Sequence, residues 1–328
     1  MSIIEIARRA GVSTATVSRV VNNNYSVRPE TRKKVEGVIA EMGYRANFLG
    51  RNLRTAQSRL LLTMVPDFGN PFYAEIVRGI DGVARAEGYH LLLCDTSSGV
   101  GADRTYFDLL RNRLADGAIC LDPATIQQEL SRETGELCWI ACCEFDPAGS
   151  VPFVGIDNAR AAFDAVSYLV QRGRRSIAFL NSDPRFLYSQ QRHKGYLDAL
   201  HLAGLAPPVG GVVTTQGLTY DHGREAIADI LATGLRPDAV FAVSDTLAIG
   251  AMQGLRNAGL SVPDDVSVVG FDNIQLCTMV QPELTTVAQP MHQLGETAAK
   301  LLLQRIRNPD AAIEGIVLDH KLHIRGSA

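Results

Sequence analysis

Several charged side chains follow apolar runs in the later, larger part of the sequence, where they could contact a small molecule. Asp67, Asp157, Asp245 and Asp272 each come shortly after such a run, and Arg192 lies in the segment QRHKGYLDAL. Carboxylates accept hydrogen bonds from hydroxyl groups, and the arginine guanidinium donates them in a planar fork. We therefore interpret these side chains as partners of a polar ligand and not as catalytic groups.

The motifs that would indicate an enzyme are missing from the sequence. It contains no GxSxG nucleophile elbow, no GxxxxGK[ST] phosphate loop and no HExxH zinc pair. The 7 histidines are scattered, and none of the 6 cysteines belongs to a CxxC pair. Most of the cysteines lie in apolar runs, which is typical of reduced thiols in a cytosolic core. We expect no enzymatic activity, no metal and no cofactor.

Positive charge is concentrated near the start of the chain. Residues 1–58 carry ten Lys and Arg against four Glu, a net charge of +6 within a 328-residue chain whose net charge is −3. A compact basic segment on an acidic body indicates contact with a polyanion. No apolar run is long enough to span a membrane, and no secretory signal is recognisable, so we expect a cytoplasmic protein.

The pattern of the basic segment predicts a helix-turn-helix. Ser2 can cap a helix over IIEIARRA, Gly11 suits a left-handed cap at its end, and Ser13 can cap a second helix over TATVSRVV. On the second helix the valines can face a core while small polar residues and Arg19 face outward, as a helix entering a DNA groove requires. A third helix is predicted in RPETRKKVEGVIAEMGY. A three-helix bundle that binds a protein is the alternative.

The string IARRAGVSTATVSRVVNNNYSVRPETRKKVEGVIAEMGYRAN resembles the headpiece of LacI/GalR-type bacterial repressors almost residue for residue. The base-reading positions that this resemblance implies are Thr14, Ala15 and Arg19. The implied phosphate contacts are Ser13, Thr16 and Asn22. Arg28 departs from the family, which often has a serine cap there, although Pro29 suits the first helical position.

Residues 46–58, ANFLGRNLRTAQS, resemble the hinge helix of the same family, which orders on operator DNA. Gly50 weakens such a helix by roughly 1 kcal/mol relative to alanine, so we expect it to be marginal on its own. The resemblance implies that Leu53 wedges into a minor-groove step beside Arg54, and Asn47, a possible cap, is counted among the DNA contacts. An ordinary core leucine is the alternative for Leu53, and Ala46 replaces the usual proline.

From residue 60 onward, short apolar runs alternate with amphipathic segments. Ten strands are predicted, from LLLTMV to LTTVA. Helices are predicted over 71–88, 159–172, 189–203, 221–233, 245–258 and 291–306. Continuous apolar strands separated by helices indicate parallel sheets covered on both faces. Ten strands are more than a single sheet usually contains. Two doubly wound lobes with a ligand cleft at the carboxyl ends of their strands are therefore expected.

The body at 59–328 resembles the effector domain of the same family and the related periplasmic binding proteins. The expected fold is an all-α helix-turn-helix headpiece at 1–45, a hinge at 46–58, and an α/β periplasmic-binding-protein-like core of two doubly wound parallel-sheet lobes. The expected lobe boundaries are about 59–157 and 289–315 for the first lobe, and about 158–288 and 316–328 for the second.

This resemblance also implies an effector site in which aromatic rings cover the apolar face of the ligand. Its implied residues are Asp67, Asn70, Phe72, Tyr73, Arg192, Ser244, Asp245 and Asp272. The loop SDPRFLYSQQ adds Phe186 and Tyr188, which could suit a nucleobase. A core position is the alternative for Phe72, and a structural role is the alternative for Asp157.

Four segments, IDNARAAFDAVSYL, SRLLLTMVPD, GFDNIQL and LTTVAQP, most resemble a family member that responds to cytidine. They suggest a nucleoside effector, with a pentose, hexose or purine as alternatives. The resemblance implies a homodimer on pseudo-palindromic double-stranded operator DNA, whose affinity the effector changes. A solute-binding protein for transport and an enzyme with a fused DNA-binding domain are the competing classes.

Overall fold

The computed structural model describes residues 2–21, 26–43, 57–97, 100–122, 137–145 and 151–328. It divides into two compact units, Met1–Gln57 and Ser58–Ala328, which we describe separately. Asn22, Asn47, Leu53 and Arg54, with nearly all of the expected hinge, lie outside the described residues. Within the described ranges, no helix is both long and apolar enough to cross a membrane.

The first unit contains the expected helix-turn-helix and a third helix. Its helices are α1 (Ile3–Ala10), α2 (Thr14–Val21) and α3 (Pro29–Glu41). Ser2 caps the start of α1, Gly11 ends it with φ +61°, and the Ser13 hydroxyl accepts a hydrogen bond from the Thr16 N–H at 3.2 Å, so the three predicted caps are confirmed. Arg28 provides no side-chain cap for α3, as its departure from the family suggested. The buried core of this unit is Ile6, Ala7, Ala10, Val17, Val20 and Val35.

The first sheet of the larger unit is parallel throughout, with strand order β11-β5-β4-β3-β1-β2. Its strands are β1 (Leu60–Val65), β2 (His90–Asp95), β3 (Gly117–Cys120), β4 (Trp139–Cys142), β5 (Phe153–Ile156) and β11 (Ile316–Leu318). The helices of this first lobe are α4 (Pro71–Ala86), α5 (Val100–Arg111) and α10 (Met291–Arg307). The strands β3 and β4 are buried along their whole length, as the apolar runs predicted.

The second sheet has the order β12-β10-β9-β8-β6-β7, and only β12 runs antiparallel among its described pairs. Its strands are β6 (Ile177–Asn181), β7 (Val212–Thr214), β8 (Ala239–Ala242), β9 (Ser267–Asp272), β10 (Thr285–Ala288) and β12 (Lys321–His323). The helices of this second lobe are α6 (Asn158–Gln171), α7 (Leu187–Leu202), α8 (Tyr220–Ala232) and α9 (Asp245–Asn257), with a 3₁₀ turn at Gln275–Thr278. The fold class predicted from the sequence is confirmed.

Three elements were not predicted, and one of them corrects a lobe boundary. These are α5, β11 and β12. Because β11 pairs in parallel with β5, the first lobe extends through Leu318, and the expected boundary at 315 is wrong by three residues. The apolar run of β11, IVL, is only three residues long, and β12, KLH, has a single apolar residue, so their pairing identifies them.

Glycines allow the helices to pack closely in pairs on each lobe. A Cβ added at Gly79 of α4 would lie 2.1 Å from the His292 carbonyl oxygen of α10. A Cβ at Gly195 of α7 would lie equally close to the Ala159 carbonyl oxygen of α6. Backbones in such contact cannot move apart without opening the core, so each lobe is a rigid support for the strand ends.

We expect Gly79→Ala to lower the free energy of unfolding by about 1–3 kcal/mol, because the new methyl group overlaps the backbone of α10. Gly82 lies on the same helix, and a Cβ added there would meet no atom within 4 Å, so Gly82→Ala should raise that free energy by about 0.5–1 kcal/mol. Urea unfolding followed by circular dichroism measures both. Equal effects of the two substitutions would contradict the close packing.

Candidate ligand-binding cleft

The carboxyl ends of both sheets face a cleft with about 440 Å³ of empty space, part of it open to solvent. This is the place where doubly wound sheets bind ligands. Seven of the ten predicted effector contacts line the cleft: Asn70, Phe72, Tyr73, Tyr188, Arg192, Ser244 and Asp272. Both lobes therefore contribute to one site.

Arg192 is the central charge of the cleft and is only 6% exposed. Its Nε donates to Asn158 Oδ1 at 2.9 Å, and its Nη1 donates to the Val243 carbonyl oxygen. Its guanidinium also lies over the rings of Phe271 and Tyr188, 3.5 Å and 4.9 Å from their centroids. A buried guanidinium requires such partners because an unpaired charge inside the protein costs several kcal/mol.

Asp272 ends β9 beside that arginine, with its Oδ1 4.0 Å from Arg192 Nη1. The Gln289 amide donates to the same oxygen at 2.7 Å. Burial outweighs the nearby positive charge and raises the pKa of Asp272 to about 8. The backbone φ of Asp272 is +117°, a conformation that non-glycine residues rarely adopt and that is enriched at functional sites.

Aromatic rings from both lobes enclose the cleft. Phe72 and Tyr73 come from the start of α4, with ring centroids 5.1 Å apart in an edge arrangement. Phe72 also packs in the hydrophobic core. It therefore occupies the core position weighed from the sequence and lines the cleft as well. Tyr188, from the start of α7, faces them from the second lobe. Such rings can cover the flat face of a ligand.

Three predicted effector contacts do not line the cleft. Asp67 is exposed and accepts the Gly69 N–H in its own turn. Phe186 stacks on Tyr188, with ring centroids 5.5 Å apart, and is not among the residues that line the cleft. Asp245 is fully buried and accepts hydrogen bonds from the Ile274 N–H and the Thr286 hydroxyl, so it fastens loops instead.

Two of the lining residues have a second, local role. The Asn70 side chain caps α4 by accepting the Phe72 N–H at 3.1 Å. The Ser244 hydroxyl caps α9 by accepting the Leu247 N–H at 3.3 Å. Asp157 likewise caps α6 and is exposed, which is the structural role weighed for it from the sequence.

The sequence analysis missed seven residues that line the cleft. They are Leu121, Cys143, Glu144, Asn158, Leu218, Val243 and Gln289. Each of them follows a strand within a few residues. Because ligands bind at the carboxyl ends of parallel strands, this position could have identified Asn158, directly after Asp157, and Gln289, directly after β10. Glu144 lies within the apolar run CWIACCEF, where a single carboxylate already indicates an unusual environment.

Burial also raises the pKa of Glu144, to about 7. Its carboxylate is 5% exposed and accepts hydrogen bonds from the backbone N–H groups of Leu187 and Tyr188, each at 2.8 Å. These bonds favour the ionised form, but they do not offset the loss of water around the charge.

On the helix-turn-helix, the predicted DNA contacts lie on the outer face of α2. Ser13, Thr14, Ala15 and Arg19 are exposed, and Thr16 is half-buried with its hydroxyl 2.9 Å from that of Ser13. The inner face carries Val17 and Val20, as predicted. The exposed surface therefore combines small side chains with one long cation, which is what close approach to base edges requires.

Comparison with known proteins gives matches over the whole chain. Residues 2–47 match the family described as bacterial regulatory proteins, lacI family, and residues 166–328 match the periplasmic binding protein-like domain. Catabolite control protein A of Priestia megaterium is 34% identical over 100% of this chain and 99% of its own length. The HTH-type transcriptional repressor CytR of Escherichia coli K12 is 36% identical over 98% of this chain and 95% of its own.

A solved structure gives the same result for the fold. The lac repressor dimer bound to operator and the anti-inducer ONPF superimposes with a TM-score of 0.89 at 26% identity, covering 100% of this chain and 98% of that chain. The match includes both the helix-turn-helix and the two-lobed unit.

We expect the free energy of unfolding of the two-lobed unit to fall by about 1–3 kcal/mol between pH 6 and pH 8. The folded protein holds protons on Glu144 and Asp272 up to about pH 7 and 8, whereas unfolded carboxyl groups release them near pH 4. Stability present at low pH is therefore lost as the pH rises through these values. Urea unfolding at several pH values measures the fall, and Asp272→Asn should reduce it. Stability that is constant in the wild type would contradict the raised pKa values.

Proposed function

This chain belongs to the lacI family of bacterial regulatory proteins and is a transcriptional repressor with a DNA-binding and an effector-binding domain, and we propose that its effector is a nucleoside such as cytidine. At the level of the family its relatives are transcriptional regulators and not enzymes. The proposal goes further in naming the ligand, the residues that bind it and the response.

The observation that carries the nucleoside proposal is the pairing of polar groups and rings in one cleft. Arg192, Asp272 and Asn158 form a connected polar wall, which can exchange hydrogen bonds with vicinal ribose hydroxyls. Tyr73 and Tyr188 enter the same space from opposite lobes, which suits a flat base. A ligand with a polyol at one end and a ring at the other uses both features.

The segments that resemble a family member responding to cytidine support the same ligand class. The similarity to CytR extends over 98% of this chain, and the four segments singled out from the sequence lie in the two-lobed unit. A pentose, hexose or purine effector remains the alternative, because a few cleft side chains decide the ligand. A solute-binding protein would need the two lobes alone, and the helix-turn-helix argues against it.

The proposed response follows from the two-lobed architecture. Two copies of the chain would place two α2 helices on a pseudo-palindromic operator, as the lac repressor dimer is bound to its operator. The base-reading residues proposed are Thr14, Ala15 and Arg19, with Ser13 and Thr16 as phosphate contacts. Asn22, Asn47, Leu53 and Arg54 complete the proposed DNA contacts. Effector and DNA must change each other's affinity by the same factor.

The effector can be identified by thermal unfolding in the presence of cytidine, adenosine, ribose and glucose. Cytidine should raise the Tm by several degrees, since a ligand at 100 times its Kd contributes about 2.7 kcal/mol. A gel shift on palindromic DNA with and without cytidine then shows whether DNA affinity changes. A shift with a sugar and none with cytidine would refute the nucleoside proposal while leaving the repressor intact.

The role of Arg19 is tested by Arg19→Ala. We expect a loss of about 1–3 kcal/mol in operator binding and a relaxed preference at one base pair, because a bidentate contact to a guanine is lost. Binding to a library of operator variants measures both. Arg9→Ala, a matched control on α1, removes the same charge from an exposed position and should weaken all sequences equally. The same uniform loss with Arg19→Ala would make it a phosphate contact.

A further inference from the structure

A single carboxylate joins the two lobes across the cleft. Glu144 follows β4 in the first lobe, and its two oxygens accept the backbone N–H groups of Leu187 and Tyr188 at the start of α7 in the second lobe. Both distances are 2.8 Å. Each oxygen has its own donor, so the contact is bidentate and fixes direction as well as distance.

Helix α7 depends on this contact for its first turn. Phe186 precedes the helix and provides no side-chain cap, whereas α4, α6, α8 and α9 are capped by a residue directly before them. The first N–H groups of a helix have no partner inside it, and the positive end of the helix favours an anion. Glu144 supplies acceptor oxygens for two of these N–H groups from the other lobe.

The residues held by this contact are those that face the ligand. Tyr188 donates one of the two N–H groups, and its ring lines the cleft. Arg192 lies one turn further along α7, with its guanidinium 4.9 Å from the centre of the Tyr188 ring. A shift of α7 away from Glu144 would move both side chains together.

We propose that Glu144 is a positioning residue that latches the first turn of α7 to the first lobe and thereby sets the closure of the cleft and the placement of Tyr188 and Arg192. The ligand named in the test rests on the proposed function, but the latch itself does not. It requires only the two lobes and the bidentate contact that joins them.

The environment of Glu144 makes the latch sensitive to protons. The groups that face it are Asp122, Arg192, Tyr188, Tyr73 and Cys143. Burial raises the pKa of Glu144 to about 7, and the Asp122 carboxylate raises it further while Arg192 lowers it. In an open cleft the carboxylate would be hydrated and its pKa would return toward its ordinary value. Closure is therefore linked to proton uptake, and it is favoured as the pH falls through 7.

Hydrogen exchange of the ligand-free, full-length protein tests the latch directly. In Glu144→Ala, we expect amide exchange to become about tenfold faster or more at 186–189, because two bonds to a charged acceptor are lost. Exchange should also become faster at the amides of Asn70, Phe72 and Tyr73, on the opposite wall of the cleft, since the lobes separate. Glu144→Gln, which keeps an acceptor oxygen without the charge, should restore part of the protection.

The matched control is Thr219→Ala, which removes the cap of α8 within the second lobe. It should speed exchange at 220–223 and leave exchange at 186–189 and at Asn70, Phe72 and Tyr73 unchanged. Faster exchange confined to 186–189 in Glu144→Ala would show a helix cap with no effect on the lobes, and would overturn the proposal. Unchanged exchange at both walls would overturn it as well.

Cytidine binding gives a second readout that a local cap would not change. For each protein, the ratio of the cytidine affinity at pH 6 to that at pH 8 is measured. This ratio should be about tenfold smaller in Glu144→Gln than in the wild type, because one titrating group is removed. Asp272 titrates in the same cleft in both proteins and so cancels in this comparison. An equal pH dependence in the two proteins would contradict the latch. If cytidine does not bind at all, the proposed effector fails, and the exchange experiment still decides the latch.

Discussion

A buried guanidinium organises the effector-binding unit. Arg192 has almost no contact with solvent, and its charge must be satisfied by groups that the fold brings to it. Those groups come from separate elements: Asn158 from the start of α6, Val243 from the end of β8 and Asp272 from the end of β9. Contacts with this one side chain thus fix three chain segments. Together these segments form the floor of the cleft.

The lobes and the cleft follow opposite packing rules. In the lobes, glycines such as Gly195 and Gly223 let helix backbones touch, so that the helices pack without gaps and the sheets are held rigid. At the cleft, Cys143 and Asp272 adopt positive φ angles, and carboxylates are buried at the cost of raised pKa values. The rigid lobes hold these residues in their strained conformations. The strained residues lie at the cleft, where a bound ligand would contact them.

The balance of charge in the cleft also shapes what it can accept. One guanidinium lies in the cleft with two carboxyl groups, those of Glu144 and Asp272, and the remaining wall combines side-chain amides with aromatic and aliphatic residues. With their pKa values raised to about 7 and 8, these carboxyl groups can donate as well as accept hydrogen bonds when protonated. Such groups, beside aromatic rings, suit the hydroxyl groups and flat ring of the proposed ligand class.

By itself, the sequence determined the helix-turn-helix, its caps and the alternation of apolar strands with helices, because these depend on neighbours within a few residues. The family resemblance also predicted Arg192 and Asp272 as effector contacts, and both line the cleft. Only the tertiary structure decided that Asp245 is internal, that β11 belongs to the first sheet, and that Glu144 reaches α7. Each of these depends on a contact between segments far apart in the chain, which local spacing does not encode.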